Sequence, residues 1–553
     1  MIMNFIEEKI LKRGGTKNLK FRFPPEPNGS KSVIELEDGT TVTKYNSGLH
    51  LGHVKSMCLN FGLSEKYDSP CVLRFDDTNP ASEESEYVNS MISDIEWLGF
   101  IPSDITYTSD YFSSIYEKLI HLAKKGLVYV DESSSEEISI GKGTPTSPGE
   151  NSPYRNRSIE LNLNLINRMK LGEFRPGSMT IRAKIDMSSP NMIMRDPIVY
   201  RILDTPHHRT GNDWKIYPMY DFAHPLCDYF EGISDSLCTL EFEVHRPLYM
   251  WVLHNCDLSG TLPEETEFAR LNLDYSIMSK RKIKTLIDEY IVDGWDDPRL
   301  PTVSGLRRRG YTPESLKNFC NKVGVTKRDS LVSHLILEEC LRSDLNKKAR
   351  RFMGVVDPIK LTICNWPKGK TEIIRLDNNP EDPNMGTREV EFSGELWMES
   401  NDFKKEFNAK YHRLKIGGEV RLKGAYIVKA VDFIEEGGEI VEVICEYDPK
   451  TKSGSESTRK VKGTIHWVSR GHSISRRVND YDLLFSHPNP DGNGKNFLEH
   501  VNNDSLVTRW GYFEKEIVKL KIGESVQLIR NGYYTLDKDG SSFNKSVALK
   551  EST

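Results

Sequence analysis

Two histidines either side of a glycine, in Gly48-Leu49-His50-Leu51-Gly52-His53, and a serine–lysine pair far downstream, in Ile277-Met278-Ser279-Lys280-Arg281, are the residues of this chain best suited to handle a polyphosphate. Imidazole N–H groups can donate to phosphate oxygens, and the amides that open a helix add positive potential. A lysine on a loop adds a point charge on a flexible stem. Together the two motifs can grip a triphosphate from two sides, whereas either alone says little. His50, His53 and Lys280 are therefore the candidate catalytic groups.

Such groups must be carried by a scaffold, and residues 20–130 supply one pattern for it. Phe21-Arg22-Phe23 reads as a short strand stopped by Pro24-Pro25, since proline cannot extend a ladder. A helix follows from about His53, with Val54, Met57, Cys58 and Phe61 at helical spacing. Cys71–Phe75 reads as the next strand, and a helix beginning near Ser82 carries Tyr87, Met91, Ile95 and Leu98 on one face. Alternating strands and helices imply a parallel sheet with right-handed crossovers. Ligands of such sheets bind beyond the carboxyl ends of the strands, which puts residues 23–28 and 76–79 beside one crevice. After about residue 345 the pattern changes to short strands punctuated by Gly, Asn and Asp, such as 418–422 and 463–468, and this predicts antiparallel β-barrels.

Several stretches together identify a resemblance. Phe21-Arg22-Phe23-Pro24-Pro25-Glu26-Pro27-Asn28-Gly29, Leu73-Arg74-Phe75-Asp76-Asp77-Thr78-Asn79-Pro80, Tyr217–Phe222, Ser236–Phe242 and Gly305–Tyr311, with the two motifs above, resemble the glutaminyl-tRNA synthetase family of class I aminoacyl-tRNA synthetases over nearly the whole chain. The fold class so implied is α/β. It comprises a Rossmann-like parallel-sheet catalytic domain with an inserted acceptor-stem-binding domain, a helical connecting domain and C-terminal antiparallel β-barrels. The expected boundaries are 1–110 and 216–270 for the halves of the catalytic domain, 111–215 for the insertion, 271–345 for the helical domain with its mobile loop, and 346–553 for the anticodon-binding barrels.

The resemblance also implies chemistry. Glutamine would be activated by ATP, with Mg2+ on the nucleotide, and transferred to the terminal ribose of glutamine tRNA. Positions matching the family's ATP site are Glu26, Pro27, Asn28, His50, Leu51, Gly52, His53, Val54, Lys55, Ser56, Thr239, Arg270, Leu271, Met278, Ser279 and Lys280. Positions matching its glutamine site are Arg22, Asp76 and Tyr220, and those matching its anticodon contacts are Arg351 and Arg413. Arg22 sets a puzzle, because a guanidinium favours glutamate over glutamine unless a neighbouring acid offsets it or it points away. A glutamyl-tRNA synthetase with barrel-type anticodon domains, or a tRNA-binding paralogue that no longer charges, are the alternatives.

Composition bounds the rest. The 553 residues are too many for one core, and 37% hydrophobic with 28% charged residues is ordinary for a soluble protein. No run of 18 apolar residues occurs, so no membrane span is expected. The acid-bearing amphipathic start reads as a short leading helix, and the expected compartment is the cytoplasm, the expected state a monomer. Nine cysteines without a C-x-x-C pair suggest reduced thiols and no zinc or other protein-held metal. A net charge of −6 leaves room for a local basic face that meets RNA. The chain departs from the family pattern between Ser30 and Gly48, where about eighteen extra residues alternate around Asp38-Gly39 and predict a β-hairpin beside the ATP crevice. It departs again at Val244-His245, where the family carries an acid and an amide, and at Pro145, which stands in place of a leucine.

Overall fold

The computed structural model describes residues 5–550 apart from 24–28, 36–40, 81–84, 407–410, 456–458 and 495. The chain divides into two compact units, residues 1–272 with 320–332, and residues 273–319 with 333–553.

The first unit opens with a short helix, α1 (Phe5–Lys12), and is built on a five-stranded parallel sheet. Its strands are β1 (Leu19–Phe23), β4 (Cys71–Phe75), β5 (Ile105–Tyr107), β10 (Asp235–Thr239) and β11 (Glu264–Phe268), in the order β11-β10-β1-β4-β5. Between β1 and β4 the chain forms the hairpin that the Asp-Gly alternation predicts: β2 (Gly29–Glu35) pairs antiparallel with β3 (Thr41–Ser47), from Gly29 opposite Ser47 to Glu35 opposite Thr41. Helix α2 (Leu51–Tyr67) then returns the chain to β4, and α3 (Ser85–Trp97) leads on to β5. Since successive side chains point to opposite faces, the register Arg22↔Arg74 and Lys20↔Val72 puts Lys20, Arg22 and Arg74 on one face, while Leu19, Phe21, Leu73 and Phe75 fill the other as buried core. On the neighbouring pair the register is Ser236↔Glu265 and Cys238↔Glu267. A parallel sheet covered on both sides usually has hydrophobic runs throughout, so one charged face is the exception that marks the site.

Between β5 and β10 lies a smaller domain whose core, with Leu119, Val130, Ile166 and Ile181, continues into Phe222, Leu226, Leu248 and Val252. Helices α4 (Phe112–Lys124), α5 (Ser135–Gly141) and α6 (Ile159–Lys170) accompany a four-stranded antiparallel sheet of β6 (Val128–Asp131), β7 (Thr180–Ala183), β8 (Ile198–Ile202) and β9 (Ile216–Pro218). Periodicity makes the chain at Ile216 look like a return to the parallel sheet. Instead Ile216–Pro218 hydrogen-bonds with β8 as the last strand of the smaller sheet. The return is made by α7 (Tyr220–Phe230), after which β10 and α8 (Arg246–Asn255) lead to β11.

The second unit carries α9 (Lys280–Asp288), helices at Val303–Arg309 and His334–Lys348, and two seven-stranded sheets. These sheets correct one expectation: they are mixed, not purely antiparallel. Pro358–Ile363 runs parallel to Glu439–Asp448, and Ser473–Tyr481 runs parallel to Ser542–Val547, among mostly antiparallel neighbours. Strands brought together across long connections need not alternate in direction, and strand spacing alone does not encode this. The run predicted over 463–468 is also broken into Thr464–Ile465 and Val468–Ser469, each paired in a different place.

Gly310 ends the Val303–Arg309 helix in the left-handed region, with φ 101°. A Cβ there would stand 1.9 Å from Thr535 Oγ1 and 2.5 Å from Ser546 Oγ, two hydroxyls 2.9 Å apart within the β-sheet below. Gly310→Ala should cost about 2–5 kcal/mol, the sum of left-handed strain and overpacking. Chemical denaturation of the variant checks this.

Candidate functional site

The residues at the start of α2 cap their own helix. His50 is extended at φ −132°, and its Nδ1 accepts the Gly52 amide at 3.1 Å. His53 Nδ1 in turn accepts the His50 amide at 3.1 Å. Two imidazoles thus do the work of a capping box normally made from Ser or Thr with Glu. The consequence is chemical. With Nδ1 accepting in both rings, a neutral imidazole must carry its hydrogen on Nε2, so both rings are set as Nε2–H donors. Their centroids are only 3.9 Å apart. Leu51 and Val54 are fully buried behind them. Lys55, named above with the ATP positions, turns inward and donates to the Ala269 carbonyl at 3.0 Å, with burial lowering its pKa. It thereby ties α2 to the segment that holds exposed Arg270 and buried Leu271. Ser56 is half-buried, and its carbonyl accepts from Asn60. Thr239, at the carboxyl end of β10, donates to Glu241 at 3.0 Å. Glu26, Pro27 and Asn28 lie outside the described residues.

Arg22, Asp76 and Tyr220 come together on the charged face. The Arg22 guanidinium lies 4.8 Å from the centroid of the Tyr220 ring and 5.1 Å from that of Phe242, within cation–π range. Its Nη1 is 3.6 Å from Asp76 Oδ2. Asp76, 2% exposed, accepts from Arg74 Nε at 2.9 Å and Thr108 Oγ1 at 3.0 Å through Oδ1, while Oδ2 has no hydrogen bond among the described residues.

Beneath this group lies a buried ionic network. Asp228 on α7 receives Lys20, Arg74 Nη2 at 2.7 Å and Tyr249 Oη at 2.8 Å, and lies 3.1 Å from His224 Nε2. Arg74 also reaches Glu231 at 2.7 Å. Burial alone would push the Asp228 carboxyl up, but His224, Lys20 and Arg74 hold it well below the ordinary carboxylate range. Burial lowers Lys20 to about 8 and holds His224 well below its ordinary value, hence neutral. Lys20 Nζ is 2.6 Å from His224 Nε2, and Tyr220 Oη is 3.2 Å from His224 Nδ1. His224 Nε2 thus faces both the Lys20 amine and the Asp228 carboxylate, while its Nδ1 is joined to the Tyr220 hydroxyl.

Sequence reasoning missed Lys20, Arg74, His224, Asp228, Glu265 and Phe242 as parts of one site. A signal was present: a charged residue inside a buried parallel strand must be paired, and Tyr220, His224 and Asp228 recur every fourth residue on one face of α7.

Among the described residues two clusters have metal-ligand residue types. Asp77, His207 and His208 lie close together, but Asp77 is already saturated by Ser109 N, Ser109 Oγ and His208, and His207 Nε2 is 2.7 Å from the Asp77 carbonyl. They form a clamp between the end of β4 and the smaller domain. Cys238, Glu265 and Glu267 lie close together as well, yet Arg246 donates to Glu267 at 3.3 Å and Arg22 bears on Glu265, so the acids already face cations.

In the second unit, Met278, Ser279 and Lys280 are half-buried, and Lys280 opens α9 behind Ser279, whose side chain makes no cap bond. Arg351 donates to Glu381 at 3.2 Å and Asn346 at 3.3 Å. Arg413, about half exposed, lies 3.4 Å from Asp402 and donates to the Asn401 carbonyl at 3.3 Å. Among the described residues no helix is long and apolar enough to cross a membrane.

Comparison with known proteins gives matches along most of the chain. The family profile "tRNA synthetases class I (E and Q), catalytic domain" matches residues 44–347, beginning within the hairpin's second strand. Two profiles described as "tRNA synthetases class I (E and Q), anti-codon binding domain" match 349–448 and 464–537. Glutamine--tRNA ligase of Cronobacter sakazakii is 48% identical over 560 aligned residues, covering 99% of this chain and 97% of its own. That of Proteus mirabilis is 49% identical, covering 99% and 97%, and that of Rhodopirellula baltica is 48% identical, covering 99% and 90%. Among solved structures, a glutamate tRNA ligase from Elizabethkingia meningosepticum is 17% identical with a TM-score of 0.42, over 60% of this chain and 70% of its own.

Removing the hub of the buried network leaves cations without their anion. Asp228→Ala should lower stability by about 3–5 kcal/mol, the range for breaking one partner of a buried ion pair, as read from denaturant unfolding.

Proposed function

The chain belongs to the class I tRNA synthetases for glutamate and glutamine, and on that premise we propose how its residues join glutamine to tRNA. The glutamine carboxylate attacks the α-phosphorus of ATP, a bond forms from carboxylate oxygen to phosphorus, and pyrophosphate leaves. The terminal ribose hydroxyl of the tRNA then attacks the activated carbonyl and releases AMP. The full-length relatives named for glutamine, rather than glutamate, favour glutamine as the amino acid.

In the first step charge builds on phosphate oxygens, so donors and cations matter more than a covalent nucleophile. The observation that carries this assignment is the reciprocal cap of His50 and His53. It fixes both rings as Nε2–H donors at a helix N-terminus, where the helix dipole also favours anions. Leu51, Gly52, Val54 and Ser56 shape that terminus, and Lys55 positions Arg270 and Leu271 through Ala269. Glu26, Pro27, Asn28 and Thr239 complete the nucleotide site by their match to the family. Met278 and Ser279 would hold adenine and phosphates, and Lys280 would bring its ammonium to the leaving pyrophosphate. Imidazole N–H donors suit phosphate oxygens rather than a cation. Magnesium therefore fits as part of the nucleotide, where it supplies charge neutralisation to the phosphates.

Asp76, with one buried oxygen that is ion-paired to Arg22 but accepts no hydrogen bond among the described residues, suits the glutamine ammonium. Arg22 and Tyr220 suit its side chain. Arg351 and Arg413 would exchange Glu381 and Asp402 for anticodon bases or phosphates, as cations near aromatic groups do in RNA recognition. The protein would work as a monomer in the cytoplasm.

Three measurements test the reading. His50→Ser keeps a good cap but loses the long-reach donor, so its rate of tRNA-dependent pyrophosphate exchange should fall roughly 10²-fold with little change in stability. Lys280→Ala should lose a similar factor in the same assay, and a variant as fast as the parent would remove the loop from the mechanism. Deleting residues 31–47 should leave charging within a few-fold. A large gain would mean instead that the hairpin obstructs the site, as a charging-deficient paralogue requires.

A further inference from the structure

We propose that residues 482–505 form a brace that holds the catalytic loop 278–280 in place, and that Asp491 and Phe497 of this brace are positioning residues for Lys280. The proposal rests on the role given to Lys280 above and adds the groups that aim it.

The strands Ser473–Tyr481 and Leu506–Glu514 pair antiparallel, from Ser473 opposite Glu514 to Tyr481 opposite Leu506. A hairpin of this kind closes with about two to five residues. Residues 482–505 are far more than closure needs, and so long a connection is uncommon in a compact domain and is usually functional. Its middle is drawn into a closed loop. Asn502 N donates to the Leu484 carbonyl at 2.8 Å, and Ser486 N donates to the His500 carbonyl at 2.8 Å. The His487 and His500 rings stack across this neck with centroids 4.9 Å apart.

The loop grips the chain on both sides of residues 278–280. Ahead of the motif, the Tyr275 amide donates to the Pro488 carbonyl at 2.9 Å. Tyr275 is in the left-handed region there, at φ 51°, a conformation that is strained for a bulky residue and persists only where contacts impose it. Ile277 is buried in one cluster with Leu484, Phe485 and Phe497. Behind the motif, Ile283 and Leu286 of α9 enter the same cluster. Lys282 forms an ion pair with Asp491, and its ammonium lies 5.6 Å from the centroid of the Phe497 ring.

These contacts fix a direction as well as a place. At 3.6 residues per turn, Lys282 and Leu286 stand about 200° and about 240° round the helix axis from Lys280. Seating them on the brace turns Lys280 to the side that faces away from it. The Ser279 side chain makes no cap bond, and the first turn of α9 takes its orientation from these flanks. Lys280 acts only if its ammonium meets the pyrophosphate as it leaves, and a misplacement of about 1 Å can cost roughly 10²-fold in rate.

The test is tRNA-dependent pyrophosphate exchange by the full chain, with kcat and the KM for glutamine measured separately. Phe497→Ala should lower kcat roughly tenfold or more while the KM for glutamine stays within twofold. Phe497→Leu, which refills the cluster, should recover most of that loss. Lys282→Asp and Asp491→Lys each set like charges together and should lower kcat about fivefold, the upper end for an exposed pair. The double variant restores the pair with its signs exchanged and should return to within twofold of the parent. An ion pair this exposed adds little to stability, so the charge variants should keep the parent's unfolding midpoint while their rates change. Phe497→Ala with kcat within twofold of the parent, a double variant no faster than the single ones, or a rise in the KM for glutamine that matches the loss in kcat overturns the proposal. If Phe497→Ala does not fold, the charge variants decide alone. A Lys280→Ala variant as fast as the parent overturns the reading of Lys280 itself, whereas a slow Lys280→Ala beside unaffected brace variants overturns the brace alone, so the two failures are distinguishable.

Discussion

Two arginines stand directly opposite one another on adjacent strands: the register of the parallel sheet pairs Arg22, half-buried, with Arg74, fully buried. Like charges so placed repel strongly at low dielectric, and the sheet can form only if anions are delivered to that face. Helix α7 delivers them. Asp228 and Glu231 take Arg74, Asp228 also takes Lys20, and Asp76 from the end of β4 bridges towards Arg22. The anchors of the proposed amino-acid pocket, Asp76 and Tyr220, are the outer members of this network. Their geometry is set by the same contacts that make the face tolerable, so folding and recognition share one set of ions.

The nucleotide side follows similar logic on a smaller scale. A helix that begins at a strand's carboxyl end leaves amide donors without partners. Here they are satisfied by the Nδ1 atoms of the two histidines whose opposite nitrogens suit phosphate. Capping and the proposed catalytic role are therefore not competing uses of His50 and His53, because the cap selects the tautomer that this role needs. The hairpin between β1 and α2 is compatible with this, since its ends meet at Gly29 and Ser47 in register and return the chain to where it left.

Legibility in the sequence was uneven, for physical reasons. The hairpin could be read because alternation around Asp-Gly is a local signal. The parallel sheet could be read because strand and helix periods alternate over short distances. The mixed direction of strands in the second unit could not, since pairing between Pro358–Ile363 and Glu439–Asp448 depends on contacts across about eighty residues. Ile216–Pro218 was misassigned for a related reason: three apolar residues have no period, and only tertiary pairing decides which sheet takes them. At the site, motif residues such as Asp76 and Tyr220 were legible, while Lys20 and Glu265 were not. Each is one charge in a strand, and its meaning emerges only when register brings its neighbours across. The Arg22 puzzle posed by the sequence finds its offset in acids more than fifty and more than two hundred residues away.

The most direct test of this account is a crystal structure with a non-hydrolysable glutaminyl-adenylate analogue. The account requires the ammonium on Asp76 Oδ2, the side-chain carboxamide beside Arg22 and Tyr220, and the phosphate facing the Nε2 atoms of His50 and His53. An analogue whose side chain points away from Arg22, or whose phosphate lodges at a distance from both imidazoles, would contradict it.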